Sequence, residues 1–346
     1  MRLEIGNFYV RNIIFGEKLS FESGILTINK DEALTYIRAD ERITEAELYI
    51  AKPGDPIRIC PVKEAIEPRV RPDGRGVFPG YTGDLERAGN GTVHALKNCS
   101  VLVVGRHWGG FQDGLIDMSG EGQKYTYFGQ LNNIVLVADT NEVFEQREQQ
   151  KKNDALRRAG HKLAEYIAQC VKELKPEETE VYDLDAMIRR GADVETLPSV
   201  VYVMQPQSQM EELGYNDLVY GWDMNRIVPT VMHPNEILDG ALVSGSFMPV
   251  SSKWSTYDFQ NCPNIKALYR EHGKTINFLG VIMSNLNVAL EQKERAALFV
   301  AQIANTLGAD GAVVAEEGYG NPDADFVGCI VALEDAGVKT VGISNE

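Results

Sequence analysis

The sequence has no CxxC pair, and its five cysteines, Cys60, Cys99, Cys170, Cys262 and Cys329, are scattered and odd in number. That spacing excludes a disulfide framework and a zinc knuckle, and it points to free thiols buried as small apolar groups. Histidine is scarce too: His94, His107, His161, His233 and His272 show no HExxH or comparable ligand spacing, so no metal site is expected. Basic charge is in deficit. There are 50 Asp and Glu against 34 Lys and Arg, a net charge of −16, and no basic run is interleaved with aromatics as a nucleic-acid groove requires. No apolar run approaches the roughly twenty residues that cross a bilayer. The N-terminus, Met1-Arg2-Leu3-Glu4-Ile5-Gly6, lacks a basic segment followed by an apolar stretch. The expectation is a cytoplasmic protein with neither nucleic acid nor membrane as partner.

What is present is an α/β pattern with a β-rich N-terminal portion followed by a parallel-sheet βαβ domain. A length of 346 residues is enough for two domains. The division expected is 1–98, a β-rich domain with a Pro/Gly-rich arm, and 99–346, an α/β domain with a mostly parallel sheet. Short apolar runs at Leu3–Ile5, Phe8–Ile13, Glu47–Ile50 and Ile57–Val62 read as strands, with a hairpin over Phe21–Ile28 and a turn at Lys52-Pro53-Gly54-Asp55. The stretch Glu67–Gly91 has little periodicity and reads as a long loop or interface arm. Strands at Val101–Val104 and Ile134–Ala138 precede an amphipathic helix from about Glu142 to Leu174, which Pro176 ends. Further on, Ser199–Met204 and Val228–Val231 read as strands, the second an edge or a strand start because of Pro229. Then Asn277–Met283, Gly311–Ala315 and Thr340–Ile343 alternate with helices over Leu290–Leu307 and Phe326–Ala336. Continuous apolar strands imply burial on both faces and parallel, right-handed connections.

Ligands of open parallel sheets sit outside the carboxyl ends of the strands. Those ends are Ser284-Asn285, the loop from Glu316 to Asp325, and Ser344 onward. In the middle loop two glycines let backbone approach a ligand, and Glu316, Glu317, Asn321, Asp323 and Asp325 could bind a cation or ammonium group, or orient a helix start. Gly318-Tyr319-Gly320-Asn321-Pro322 lacks the third glycine of a dinucleotide fingerprint, which disfavours a nicotinamide cofactor. No GxSxG elbow occurs, although Ser244-Gly245-Ser246 sets hydroxyls beside glycine.

Several blocks in one order carry a family resemblance: Leu3–Asn7, Pro61–Arg69, Gly109–Gly120, Leu131–Ile134 and Glu316–Asp323. Together they resemble the proprotein subunit of component B of glycine, sarcosine and betaine reductases, with the D-proline reductase proprotein a more distant match. The resemblance implies reductive C–N cleavage of a small amine or zwitterion. The partners it implies are a selenocysteine- or cysteine-containing component B subunit and a selenoprotein A-like carrier, in an oligomeric assembly. It also implies self-cleavage ahead of a cysteine that becomes a pyruvoyl group, able to capture a substrate amine. Aligning Asp239–Phe247 with that segment puts Phe247 at the cysteine position. Phenylalanine has no heteroatom to attack a carbonyl, so no pyruvoyl cofactor is expected; Ser246 is the one candidate for an oxygen analogue, with Asp239, Thr256 and Tyr257 as its surroundings. The substrate-binding residues expected are Glu316, Glu317, Tyr319, Asn321, Asp323 and Ser244. The likeness stops at Glu346, short of the family's usual C-terminal segment. Two readings follow: a substrate-binding subunit without its own electrophile, or a non-catalytic scaffold or regulatory paralogue.

Overall fold

A computed structural model describes residues 1–105, 114–140, 149–185, 194, 196–209, 216–245 and 254–344, without the side chains of 149–152. The β-rich N-terminal region holds a small three-stranded sheet of Asn12–Phe15, Ser20–Glu22 and Ile25–Ile28 and two larger sheets, the latter built from β1 (Arg2–Tyr9), β2 (Ile43–Ala51), β3 (Arg58–Ile66), β4 (Arg69–Val70), β5 (Gly91–Lys97), β6 (Cys99–Val104), β7 (Gly114–Asp117) and β8 (Asn132–Thr140), with β9 (Glu178–Asp183) completing the first. The first sheet has the order β9-β1-β5-β4 and the second β7-β3-β6-β8-β2. The expected hairpin is present, Ser20–Glu22 pairing antiparallel with Ile25–Ile28. The long amphipathic helix is described as α1 (Gln149–Ala168), which tightens into a 3₁₀ turn at Gln169–Val171. Its predicted start at Glu142 lies outside the described residues. Leu156, Ala159, Leu163 and Ile167 recur at helical spacing and are fully buried, which fixes the face α1 turns inward.

The C-terminal region is the βαβ unit. Strands β10 (Ser199–Gln205), β11 (Thr230–Met232), β12 (Asn277–Met283), β13 (Gly311–Glu316) and β14 (Lys339–Ile343) form one sheet in the order β11-β12-β10-β13-β14. The last four are parallel, but β11, expected to run with them, is antiparallel to β12. Pro229 has no N–H to donate, so pairing starts at Thr230 on the sheet edge, where direction is not imposed by a crossover. Helix α2 (Thr256–Gln260) lies upstream of β12 in the chain. Helices α3 (Leu290–Leu307) and α4 (Asn321–Asp335) cover one face, with Ala297, Val300, Cys329 and Leu333 in the same apolar cluster as Val201, Val203, Ile282 and Val314. The other face sends Tyr202, Met204, Phe278 and Val281 into a core shared with Leu3, Leu96 and Val103 of the N-terminal sheets.

Two expectations are corrected. Helix α4 begins at Asn321 rather than near Phe326, because the Asp323 carboxylate accepts from the Gly320 N–H at 2.8 Å and Pro322 is tolerated in a first turn. The segment 67–91 is the long loop expected, apart from β4, but it packs into the core instead of extending as an arm. It contains β4, and Val77, Phe78, Tyr81 and Ala88 are buried in the main core. Its glycines serve close approach: Gly80 has φ +76°, and a Cβ there would lie 2.2 Å from the Tyr220 carbonyl oxygen. Gly80→Ala is therefore expected to lower the free energy of unfolding by about 2–3 kcal/mol. Urea denaturation measures this, and a change within error would show that the crossing can relax.

Candidate active site

Chain β10 leads to β12 on one side, and β12 leads back across β10 to β13 and on to β14, so the winding reverses between β10 and β13. A crevice at the carboxyl ends of such a pair is where open sheets bind ligands. Gln205 closes β10, Ser284 follows β12 and Glu316 closes β13, with Gln205 and Glu316 in register. Alternation places these three on the face of Val203, Ile282 and Val314. Gln205 and Ser284 are 1% and 0% exposed, and Gln205 Oε1 and Ser284 Oγ have no hydrogen-bond partner among the described residues. Buried polar atoms are seldom left unsatisfied, so this edge is shaped to receive a polar group.

The next residue, Glu317, turns to the opposite face and is fully buried. It accepts from the Trp254 N–H at 3.0 Å and from the Gln207 N–H at 3.2 Å. The same Gln207 N–H reaches Asp217 Oδ2 at 3.0 Å, and Asp217 Oδ1 accepts from the Gly245 N–H at 2.7 Å. One amide thus bridges two buried carboxyl groups at the crevice. A Cβ on residue 245 would lie 1.6 Å from the Asn216 carbonyl oxygen, so only glycine brings this backbone to Asp217.

The other residues expected from the sequence divide. Tyr319 stands at the rim, 40% exposed. Asn321 opens α4, where its Oδ1 accepts from Gln209 Nε2 at 2.9 Å. Asp323 is engaged in capping that helix. Asp325 lies in the turn after the first and is buried against Lys293, also accepting from the Asn287 N–H at 3.1 Å. Ser246 and Phe247 lie outside the described residues.

Ser244 is buried, and both of its backbone polar groups are held. Its carbonyl accepts from Arg157 Nη1 of α1, and its N–H donates to Thr256 Oγ1 at 3.0 Å. Thr256 opens the short helix α2, whose start is fixed by reciprocal bonds between Ser255 and Asp258. Two more groups reach the same Thr256 oxygen: Glu64 Oε2 of β3 at 3.1 Å and His161 Nε2 of α1 at 3.2 Å. Glu64 Oε1 accepts from the Thr256 N–H at 2.9 Å and the Ala65 N–H at 2.9 Å.

Hydrogen counting settles the protonation of this cluster. His161 Nδ1 faces the Arg157 carbonyl oxygen at 2.8 Å, and a carbonyl only accepts, so Nδ1 bears hydrogen. Burial drives the imidazole pKa down to about 3, so Nε2 is bare and receives the hydroxyl hydrogen of Thr256. A hydroxyl has one hydrogen and two lone pairs. One lone pair takes the Ser244 N–H, so the other takes a hydrogen from Glu64, whose carboxyl is neutral. Its pKa agrees, pushed up to about 8 by burial against the opposing bonds from Thr256 and the field of Arg157. For Arg157 itself, burial disfavours the charge, but the negative potential of its surroundings outweighs that and the pKa is raised.

The sequence reading missed Glu64, Tyr81, Arg157 and His161, and named Thr256 only as surroundings. Arg157 and His161 are four apart on one face of a helix, the one local signal that pointed to them. A pH signature follows. The unfolded chain releases the Glu64 proton near 4.5, whereas the folded chain keeps it to about 8, so stability falls as pH rises through that window. Urea midpoints from pH 5 to 9 are expected to show this decline in the unaltered protein and to lose it in Glu64→Gln; an identical slope in both would contradict a neutral Glu64.

The family described as glycine/sarcosine/betaine reductase component B subunits matches residues 1–346. The betaine reductase complex component B subunit alpha of Peptoclostridium acidaminophilum is 72% identical over 100% of this chain and 78% of its own length. From the same organism, the glycine reductase complex component B subunits alpha and beta are 41% identical over 100% of this chain and 80% of theirs. Its sarcosine reductase complex component B subunit alpha is 40% identical with the same coverage. No solved structure matches.

Proposed function

Because the chain belongs to the family of glycine/sarcosine/betaine reductase component B subunits, we propose that it is the substrate-binding subunit of a betaine-reducing complex. The observation that carries this reading is the far greater identity to the betaine reductase relative than to the glycine and sarcosine relatives. Phe247 supports it chemically. A carbonyl electrophile captures an amine only through an N–H, and the nitrogen of a betaine bears four carbons and no hydrogen. A side chain unable to generate that electrophile is therefore no handicap for this substrate, and no step runs through a pyruvoyl group.

The reaction balances without it. A selenolate or thiolate of a partner protein attacks the α-carbon, the C–N bond breaks, and its electron pair leaves on nitrogen. A carboxymethyl selenoether or thioether and a neutral trimethylamine result, and no proton is needed for departure. The work left to this chain is to hold the zwitterion with its α-carbon accessible and water excluded. Glu316 and Glu317, with Asp217 beside them, supply negative potential for a trimethylammonium group that offers no hydrogen-bond donors. Tyr319 presents an aromatic face of the kind that binds quaternary ammonium ions. Asn321 and the capping Asp323 line the loop, and the Ser244 backbone forms the wall. The component B partner subunit and the selenoprotein carrier belong to the same proposal. Among the described residues no helix is long and apolar enough to cross a membrane.

Calorimetric titration with betaine, sarcosine and glycine tests the reading. Betaine is expected to bind at least about tenfold more tightly than glycine, and Glu317→Gln to weaken betaine by about tenfold. Heat with glycine and none with betaine would overturn it.

A further inference from the structure

Arg157 is 3% exposed, yet no described carboxylate lies within ion-pair distance of it. Its Nη1 serves the Ser244 carbonyl, while Nε–H, on the edge that forks onto carboxylates, has no partner among the described residues. The phenol oxygen of Tyr81 is also buried, without a partner among the described residues. Each group lies close enough to shift the other's titration, but no hydrogen bond joins them. Tyr81 is firmly seated: the Arg158 guanidinium lies 4.3 Å from its ring centroid, the His161 ring packs edge-on at 4.9 Å, and its carbonyl accepts from Arg158.

The anions around Arg157 are committed elsewhere. Asp154 is shared between Arg42 at 3.1 Å and Arg158 at 2.9 Å. Asp217 accepts from Gly245 and Gln207. Glu64 is neutral by hydrogen count, so the carboxyl group that could cancel the guanidinium is withheld. A buried guanidinium with no directly paired carboxylate is rare, as is a pair of buried donors left without acceptors among the described residues.

We propose that Arg157 and Tyr81 form a carboxylate-binding subsite, in which guanidinium Nε–H and phenol O–H both donate to the carboxylate of a small zwitterion. The inference rests on the proposed function only in taking that carboxylate to be the substrate's. It divides recognition between two ends. The cationic head faces the Asp217–Glu317 pair, and the carboxylate neutralises Arg157, with the Ser244–Gly245 peptide bonded to both groups. Glu64, Thr256 and His161 act as positioning residues, since they fix Ser244 and keep Arg157 free to bind.

The test is calorimetry on the full chain with betaine, choline, glycine and acetate. Choline keeps the trimethylammonium head and replaces carboxylate by hydroxymethyl. The unaltered protein is expected to bind betaine about 100-fold more tightly than choline. Arg157→Lys is expected to lose about 100-fold in betaine affinity with choline unchanged, and Tyr81→Phe about fivefold. Equal binding of betaine and choline, or Arg157→Lys binding betaine as the unaltered protein does, would overturn the subsite and leave the betaine reading standing. Binding of glycine or acetate, but not betaine, with loss in Arg157→Lys would overturn the betaine reading and support the subsite. Absence of binding by any carboxylate would overturn both, leaving water as the occupant. The betaine–choline comparison and Tyr81→Phe decide the matter even if Arg157→Lys fails to fold.

Discussion

A single oxygen atom, Oγ1 of Thr256, makes three hydrogen bonds to three separate parts of the fold: β3 through Glu64, α1 through His161, and the backbone ahead of Gly245 through Ser244. Its capacity of one hydrogen and two lone pairs dictates the state of everything attached. The imidazole is neutral, the carboxyl keeps its proton, and the Ser244 N–H is satisfied without water. Burial makes the imidazole neutral, and counting hydrogens from there assigns the rest. Since burial penalises every ionised form, the neutral arrangement is also the one the low dielectric prefers.

From that atom the order propagates toward the crevice. Ser244 is pinned by its N–H and carbonyl, Gly245 is pressed onto Asp217, and Asp217 meets Glu317 through the Gln207 amide. A continuous path of buried polar contacts therefore joins the N-terminal sheets to the carboxyl edge of the parallel sheet. It leaves the Arg157 guanidinium and the carboxyl groups of Asp217 and Glu317 near the chain's passage at 244–245. Such a dipolar arrangement suits a ligand that is a zwitterion and neutral overall, and it disfavours a simple cation or anion of the same size.

Much of the fold was legible because some segments carry one meaning. The runs at 199–204, 277–283 and 311–315 are apolar throughout, which no amphipathic surface element tolerates, and the helix over 290–307 matched its observed bounds. The carboxyl-end rule then located Glu316 and Glu317. Elsewhere one residue type served two purposes. Glycine and proline between 67 and 91 read as looseness, whereas at Gly80 the missing Cβ allows backbones to touch. Pro322 read as a helix breaker sits in a first turn, where its absent N–H costs nothing. The buried cluster was the least legible part. Glu64, Tyr81, Arg157 and Thr256 are far apart in the chain, and each alone is as natural on a surface as in a site. Only the folded arrangement shows that the first loses its charge so that the third can keep its own uncancelled.

The account turns on the protonation of one side chain. Infrared spectroscopy at pH 7, comparing the unaltered protein with Glu64→Gln, measures it directly through the carbonyl stretch of a protonated carboxylic acid. The account predicts that band in the unaltered protein, its absence in Glu64→Gln, and its conversion to carboxylate absorption as pH rises past about 8. A spectrum with only carboxylate bands at pH 7 would mean that Glu64 is ionised and cancels Arg157, and the argument for an open anion site would fail.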